Sequence, residues 1–274
     1  MKRIISIFLL MIFASQMAFA QGEEKNKVSC NTKDLLKAVT VLNDIGVTEL
    51  SEEWEIWEEK TVTRAEFVEM TSNAFQIETY SEAIYFTDVQ KDMWAYEAVT
   101  DMAELGYISI PEDRRFRPDD NITYAEALKI VLNLANYGGF AQSGGGYPNG
   151  YINLAHKLEI SVTGGYNYEL TMSGAITLIY EVMSMGRYNS NVYTGEFGQN
   201  EETIFEQLWD VHIERGILNA YYGAGYQADV ANENEVIIDD EVYIMQNENN
   251  LENYFLNQVV FISKKCRKDI EGTI

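Results

Sequence analysis

Basic residues, histidine and cysteine are all scarce in this chain, and each scarcity closes off a class of function. Its 274 residues hold 20 Lys and Arg against 43 Asp and Glu, a formal net charge of −23. Such a surface repels a polyanion at long range, so no nucleic-acid partner is expected. Histidine occurs only at His156 and His212, far apart in the chain and with no cysteine pair to complete a zinc site. No acidic loop has the ligand spacing and glycine of a calcium-binding hand. No metal and no cofactor are therefore expected. The two cysteines, Cys30 and Cys266, lie near opposite ends and build no disulfide framework; one long-range bridge stays open, and both read as free or structural thiols. Catalytic signatures are missing too. There is no Gly-x-Ser-x-Gly elbow and no phosphate-cradling glycine loop, and the acid pairs Asp119-Asp120 and Asp239-Asp240 sit in turn-like contexts. The chain does not read as an enzyme.

Long apolar runs are absent after residue 20. The first twenty residues have the form of an export signal: Lys2 and Arg3, an apolar run from Ile4 to Phe13, then Ala18-Phe19-Ala20 before Gln21. That run is shorter than the roughly twenty residues of a membrane span, so no transmembrane segment is expected once the signal is cut. Cleavage removes two cations and no acid, which leaves the exported chain more acidic still. Cys30 follows the polar run Gln21 to Lys27 and does not read as a lipid anchor. With 46% hydrophobic and 12% aromatic residues, the chain has ample material for packed cores, so its acidity belongs to a folded surface.

What the chain does contain is a repeat. Shifted by sixty residues, Lys37 to Gly46 falls on Glu97 to Gly106, and Thr63-Arg64-Ala65-Glu66 falls on Thr123-Tyr124-Ala125-Glu126. A unit of this length cannot bury its apolar side alone and must stack on copies of itself. In the second copy, Val99, Met102, Ala103 and Leu105 have helical spacing up to a stop at Gly106. A turn-rich loop, Pro111 to Asn121, follows, and Thr123 caps a second helix whose face is Leu128, Ile130, Val131, Leu134 and Ala135. The first copy places that face at Val68, Met70, Thr71, Ala74 and Phe75. A third places it at Ile176, Leu178, Ile179, Val182 and Met183, after a short helix through Ile152, Leu154, Ala155 and Leu158. Three helix-loop-helix units are expected, at about 31–80, 84–138 and 144–185.

Beyond Gly186 the pattern changes. Residues 186–205 read as a linker. Then Trp209 to Val211, Ile213 to Leu218, Val236 to Ile238, Val242 to Met245 and Val259 to Ile262 read as strands, with Asp239-Asp240 at a hairpin turn and Leu251 to Leu256 as a helical turn. The expected class is mainly α, with a small β or α+β domain over 206–274.

Thr63-Arg64-Ala65-Glu66 has a structural reading first, as a capping box in which Thr63 and Glu66 satisfy each other's backbone N–H, and Thr123 with Glu126 repeats it. Set in order, Phe86-Thr87-Asp88-Val89, Trp94-Ala95-Tyr96-Glu97-Ala98-Val99, Glu104-Leu105-Gly106-Tyr107-Ile108-Ser109, Phe116-Arg117-Pro118-Asp119-Asp120 and Ile122-Thr123-Tyr124-Ala125-Glu126 resemble one complete S-layer homology repeat. Thr63-Arg64-Ala65-Glu66 is similar to that family's most recognisable motif, and Gly145 to Tyr151 with Leu178-Ile179-Tyr180 resembles its divergent third repeat.

The resemblance implies a three-repeat bundle with approximate threefold symmetry, which holds exported proteins non-covalently on the bacterial cell wall. Its ligand is an acidic, often pyruvylated, secondary cell-wall polymer or peptidoglycan-linked glycan, and surface-layer proteins are expected neighbours. By this resemblance Arg64 is the leading ligand contact, with Glu66 ordering its helix and Trp94 and Tyr147 offering rings to a sugar. Asp88, Tyr124 and Glu126 fall on the matching positions of the second copy. Physics adds that Arg64 opens a helix, where free N–H groups and the dipole favour an anion and a guanidinium fork can pair a carboxylate. Arg114, Arg115 and Arg117 form a dense basic cluster in the repeats that can compensate for missing motif arginines. Structural alternatives stand beside these roles: Trp94 as core, Asp88 as a turn residue, and, as the favoured reading, the three arginines as partners of Glu112, Asp113, Asp119 and Asp120.

The family pattern is also broken in places. Tyr124 replaces the motif arginine, Thr171-Met172-Ser173-Gly174 keeps neither charged member, and Asp34 stands where the first copy would have its tryptophan. At most one groove of the family pattern is intact. The acidic run Ser51 to Glu59, with Trp54 and Trp57, reads as a solvated loop pinned by its rings. The competing functions are a surface structural protein whose repeats no longer bind, and a wall-active hydrolase with its chemistry in the C-terminal part.

Overall fold

The computed structural model describes residues 3–7, 27–28, 32–48, 59–79, 85–191, 196–222, 224–225, 235–245 and 258–265. Cys30, Cys266, Trp54 and Trp57, residues 251–256, and residues 1–2 and 8–20 of the expected export signal lie outside them. The chain is mixed α and β. It divides into a unit formed by residues 18–204 and another formed by 1–17 with 205–274. Among the described residues no helix is long and apolar enough to cross a membrane.

The first of these units is helical: α1 Thr32–Asp44, α2 Arg64–Ala74, α3 Tyr96–Glu104, α4 Tyr124–Leu134, α5 Gly138–Ser143, α6 Asn149–Lys157 and α7 Met172–Met183. α3 packs on α2, α6 on α4, and α1 on α7. The apolar faces read from sequence on α2, α4 and α7 are all buried. α7 is buried almost all round, which places it at the centre of the unit. Two expectations fail for the first helices. Leu105 is exposed, because it is the C-cap of α3 and the chain turns away at Gly106 in a left-handed conformation. On α6 the buried face is Tyr151 and Ala155, with Ile152, Leu154 and Leu158 half-buried.

A ring of backbone hydrogen bonds joins the starts of α2, α4 and α7. Val62 N–H donates to the Leu170 carbonyl at 2.9 Å, Ile122 N–H to Val62 at 2.9 Å, and Leu170 N–H to Ile122 at 3.1 Å. A second ring lies beside it: Arg64 N–H donates to Asp120, Tyr124 N–H to Tyr168, and Met172 N–H to Lys60. Both rings keep the sequence offsets of sixty and forty-eight residues. The side chains of Val62, Ile122 and Leu170 are fully buried. Strand β2 Lys27–Val28 pairs in parallel with β3 Glu169–Leu170. Residues 186–205, expected as a linker, hold the antiparallel strands β4 Gly186–Asn191 and β5 Glu196–Thr203, tied to the helices by a Tyr137 hydroxyl donating to the Gly186 carbonyl at 2.9 Å.

The remaining unit holds β1 Arg3–Ile7, helix α8 Ile204–Trp209, β6 Val211–Tyr221, β7 Ala224–Gly225, β8 Glu235–Ile238, β9 Glu241–Met245 and β10 Gln258–Lys265. The sequence reading broke β6 in two and began it at Trp209, which instead ends α8. The expected turn at Asp239 and Asp240 joins β8 to β9, with both residues at positive φ. The sheet runs β10-β1-β9-β8-β6-β7, and β10 also pairs with β6, so β6, β10, β1, β9 and β8 form a closed circuit. β1 lies within the segment that the sequence assigns to the export signal.

Candidate functional site

The site begins at the N-terminus of α2. Thr63 caps the helix in an extended conformation, its hydroxyl accepting from Glu66 N–H at 3.2 Å, while the Glu66 carboxylate accepts from Thr63 N–H at 2.8 Å. The box seen in the sequence is present, and Thr123 with Glu126 forms it again on α4. The helix start expected to receive an anion is already occupied. The N–H groups of Arg64 and Ala65 already donate to the carbonyls of Asp120 and Pro118, at 2.8 and 3.1 Å, because the 111–121 loop of the second copy folds over the start of α2. Those donors are spent, so any anion must be met by side chains.

The same loop brings guanidinium groups together. A groove of about 410 Å³ is lined by Arg64, Arg115 and Arg117, with Ser109, Pro111, Asp120, Asn121, Thr123 and Glu126. A second cavity, of about 360 Å³, adjoins Arg115 and Arg117 and is lined also by Asp88, Pro118, Asp119 and Asp120. Arg64 is about three-quarters buried: its Nε donates to the Phe116 carbonyl at 2.8 Å, Nη1 pairs with Glu126, and the group lies 4.9 Å from the centre of the Phe116 ring. Arg117 pairs with Asp113 and donates to the Arg115 carbonyl at 3.2 Å. Arg117 also sits at positive φ, as does Arg114, a costly conformation for a non-glycine residue that the surrounding hydrogen bonds must hold.

The predicted site residues fall into three groups. Arg64, Glu126 and Tyr147 come together: the Tyr147 hydroxyl is pushed up in pKa by burial and by the Glu126 charge, against a Thr123 hydrogen bond and the Arg64 charge that pull it down. Its ring is half-exposed, with Lys129 Nζ 5.8 Å from its centre. Glu66 and Asp88 shape the backbone. Burial raises the Glu66 pKa, but Lys60 at 2.5 Å and the Thr63 N–H outweigh it, and the carboxyl is held low. Asp88 accepts from Phe116 N–H at 2.8 Å and Arg117 N–H at 2.9 Å; burial opposes ionisation, these two amides and Arg115 favour it, and its pKa is lowered. Trp94 is 61% exposed, which removes its reading as core, and it lines neither cavity.

Tyr124 is a correction. Its side chain is fully buried and its hydroxyl donates to the Val162 carbonyl at 2.6 Å, with burial pushing its pKa up to about 12. An aromatic ring at the motif position turned inward where an arginine would stay wet at its tip. The sequence offers Arg114, Arg115 and Arg117 as a compensating basic cluster but favours local pairing, which holds for Arg117 with Asp113 and not for the Arg115 guanidinium, which faces Asp88. The signal that would have placed them was the repeat itself, since a loop ending just before one capping box packs on the box before it.

Comparison with known proteins agrees with this region. Residues 85–128 match the S-layer homology domain. The chain is similar to the "Surface-layer 125 kDa protein" of Lysinibacillus sphaericus, 32% identical over 114 residues, which is 42% of this chain and 9% of that protein. It is similar to the "Middle cell wall protein" of Brevibacillus brevis, 27% identical over 169 residues, and to the "Surface layer protein" of Brevibacillus choshinensis, 26% identical over 168. Each of those two matches covers 59% of this chain and 16% or 15% of the other. The match spans no more than about a sixth of the length of these relatives.

Proposed function

From a chain that carries an S-layer homology domain and is secreted to the cell surface, we propose that residues 31–185 form three repeats that anchor it non-covalently to an acidic cell-wall polysaccharide. Support for three repeats comes from the two backbone rings, which give α2, α4 and α7 equivalent starts. The observation that carries the binding is the groove lined by Arg64, Arg115 and Arg117, three planar cations in a chain whose net charge is −23. Guanidinium groups pair carboxylates through two parallel hydrogen bonds, which suits pyruvyl or uronic acid groups on a glycan. Glu126 orients Arg64, Asp88 and Glu66 hold the backbone around it, and the exposed rings of Tyr147 and Trp94 offer faces to sugars. Binding without catalysis is the proposed role.

A structural protein that no longer binds is the second reading, favoured by the pairing of Arg64 with Glu126 inside the chain. Cosedimentation with purified cell walls separates the two. Under the binding reading the protein pellets with walls, Arg64→Ala leaves it in the supernatant, and amidating the wall carboxylates abolishes pelleting. A protein that stays soluble with untreated walls sinks the anchoring role.

A further inference from the structure

The three arginines of the groove are held to very different degrees. Arg64 is braced by a carbonyl, a carboxylate and a ring, all within its own chain. Arg117 is held by Asp113 and the Arg115 carbonyl. Arg115 differs: its side chain is 60% exposed, and its Nε stands 3.7 Å from Asp88 Oδ2, beyond hydrogen-bond length. Asp88 has already turned one oxygen to the Phe116 amide and the other to the Arg117 amide, so Arg115 is its weakest claimant. An incoming carboxylate gains most from the guanidinium that loses least by turning to it.

We infer that Arg115 is the anion seat of this groove, and that Arg64 is a positioning residue which holds the loop presenting Arg115. Arg64 acts through Phe116, whose carbonyl it binds and whose ring it covers; the neighbouring amide of Arg117 is tied to Asp88. The acidic neighbours also define the ligand. Asp88, Asp119 and Asp120 line the adjoining cavity, and Asp120 lines the groove as well, so a densely charged polymer is repelled there while a single carboxylate between neutral sugars is accepted. This assignment rests on the polymer-binding reading above.

Purified cell walls serve as the probe. If the wild-type protein does not pellet with them, the polymer-binding reading falls, and this assignment with it. Where it does pellet, Arg115→Ala should weaken binding about tenfold or more, with an unchanged thermal midpoint because the side chain is exposed, and Arg115→Lys should restore part of it. Arg64→Ala should weaken binding and also speed amide hydrogen exchange at Phe116 and Arg117. Wild-type binding by Arg115→Ala overturns the assignment. So does loss of binding in Arg64→Ala with those two amides still protected, since Arg64 would then act on the ligand directly.

Discussion

The starts of α2 and α7 are the same backbone with opposite side-chain chemistry. Each begins after a threonine cap in extended conformation, and each sends its first N–H to a carbonyl of another copy, Arg64 to Asp120 and Met172 to Lys60. At α2 the first side chain is a charged residue on the wall of a groove. At α7 Met172, Ser173 and Gly174 are buried and carry no charge. The ring geometry therefore constrains the backbone and apolar residues, while the outward layer is free to differ from copy to copy. Scaffold and ligand chemistry lie in separate layers of this unit, and substitutions in each layer should have separable effects.

The scaffold layer should give the largest effect. Ile122 lies fully buried between Val62 and Leu170, and its backbone closes the ring. Ile122→Ala leaves a cavity at the ring that joins the starts of α2, α4 and α7, and is expected to cost about 2–5 kcal/mol in urea unfolding. Because the ring ties the starts of α2, α4 and α7 to one another, amide protection should fall at all three together. A loss confined to α4 would show that the copies stand independently.

Between the layers sits Asp88, which orders the arginine loop from beneath. Asp88→Asn weakens two charge-assisted hydrogen bonds, to the amides of Phe116 and Arg117, and is expected to cost about 2 kcal/mol. Its pKa is lowered from the ordinary 3.8 by those amides and by Arg115, against the opposing effect of burial. The stabilisation is therefore complete above that value and is lost as pH falls through the lower folded pKa. Urea titrations of the wild type between pH 5 and pH 2, roughly, should show a steepening that Asp88→Asn lacks. Equal slopes would mean that Asp88 is not the acid-sensitive brace of the loop.

The two layers also differed in how far they could be read from sequence. Burial of Val68, Leu128, Leu178 and their neighbours followed from periodicity and offset, because a helix face must meet an apolar surface wherever it packs. Both capping boxes followed from three-residue spacing. The fate of Tyr124 did not, since a tyrosine at a motif arginine position carries no sign of whether its ring turns in or out. Arg115 was obscured because Asp113, Asp119 and Asp120 are close in sequence, whereas its guanidinium faces Asp88 and only its backbone N–H meets Asp113. In the strand-rich unit no repeat was available, so Trp209, the end of α8, reads as the start of a strand, and β6 reads as broken at His212.

The finest comparison sets the two capping boxes against each other. Thr63→Ala and Thr123→Ala each remove one cap hydrogen bond and should each cost about 1 kcal/mol in urea unfolding. Their effects on wall binding should differ. After the first substitution the Glu66 carboxylate still accepts from the backbone N–H of position 63 and still holds Lys60. Glu126 keeps the backbone N–H of position 123 after the second but loses a 2.8 Å bond from the Thr123 hydroxyl, and it is the carboxylate that pairs with Arg64. Arg64 in turn holds Phe116, so a looser Glu126 passes its motion to the loop that carries Arg115. Thr123→Ala should therefore lower wall binding a few-fold, an effect of roughly the size of one weakened hydrogen bond. Thr63→Ala should leave it unchanged, and equal losses in the two variants would mean that cap stability alone, and no path through Glu126 and Arg64, governs the groove.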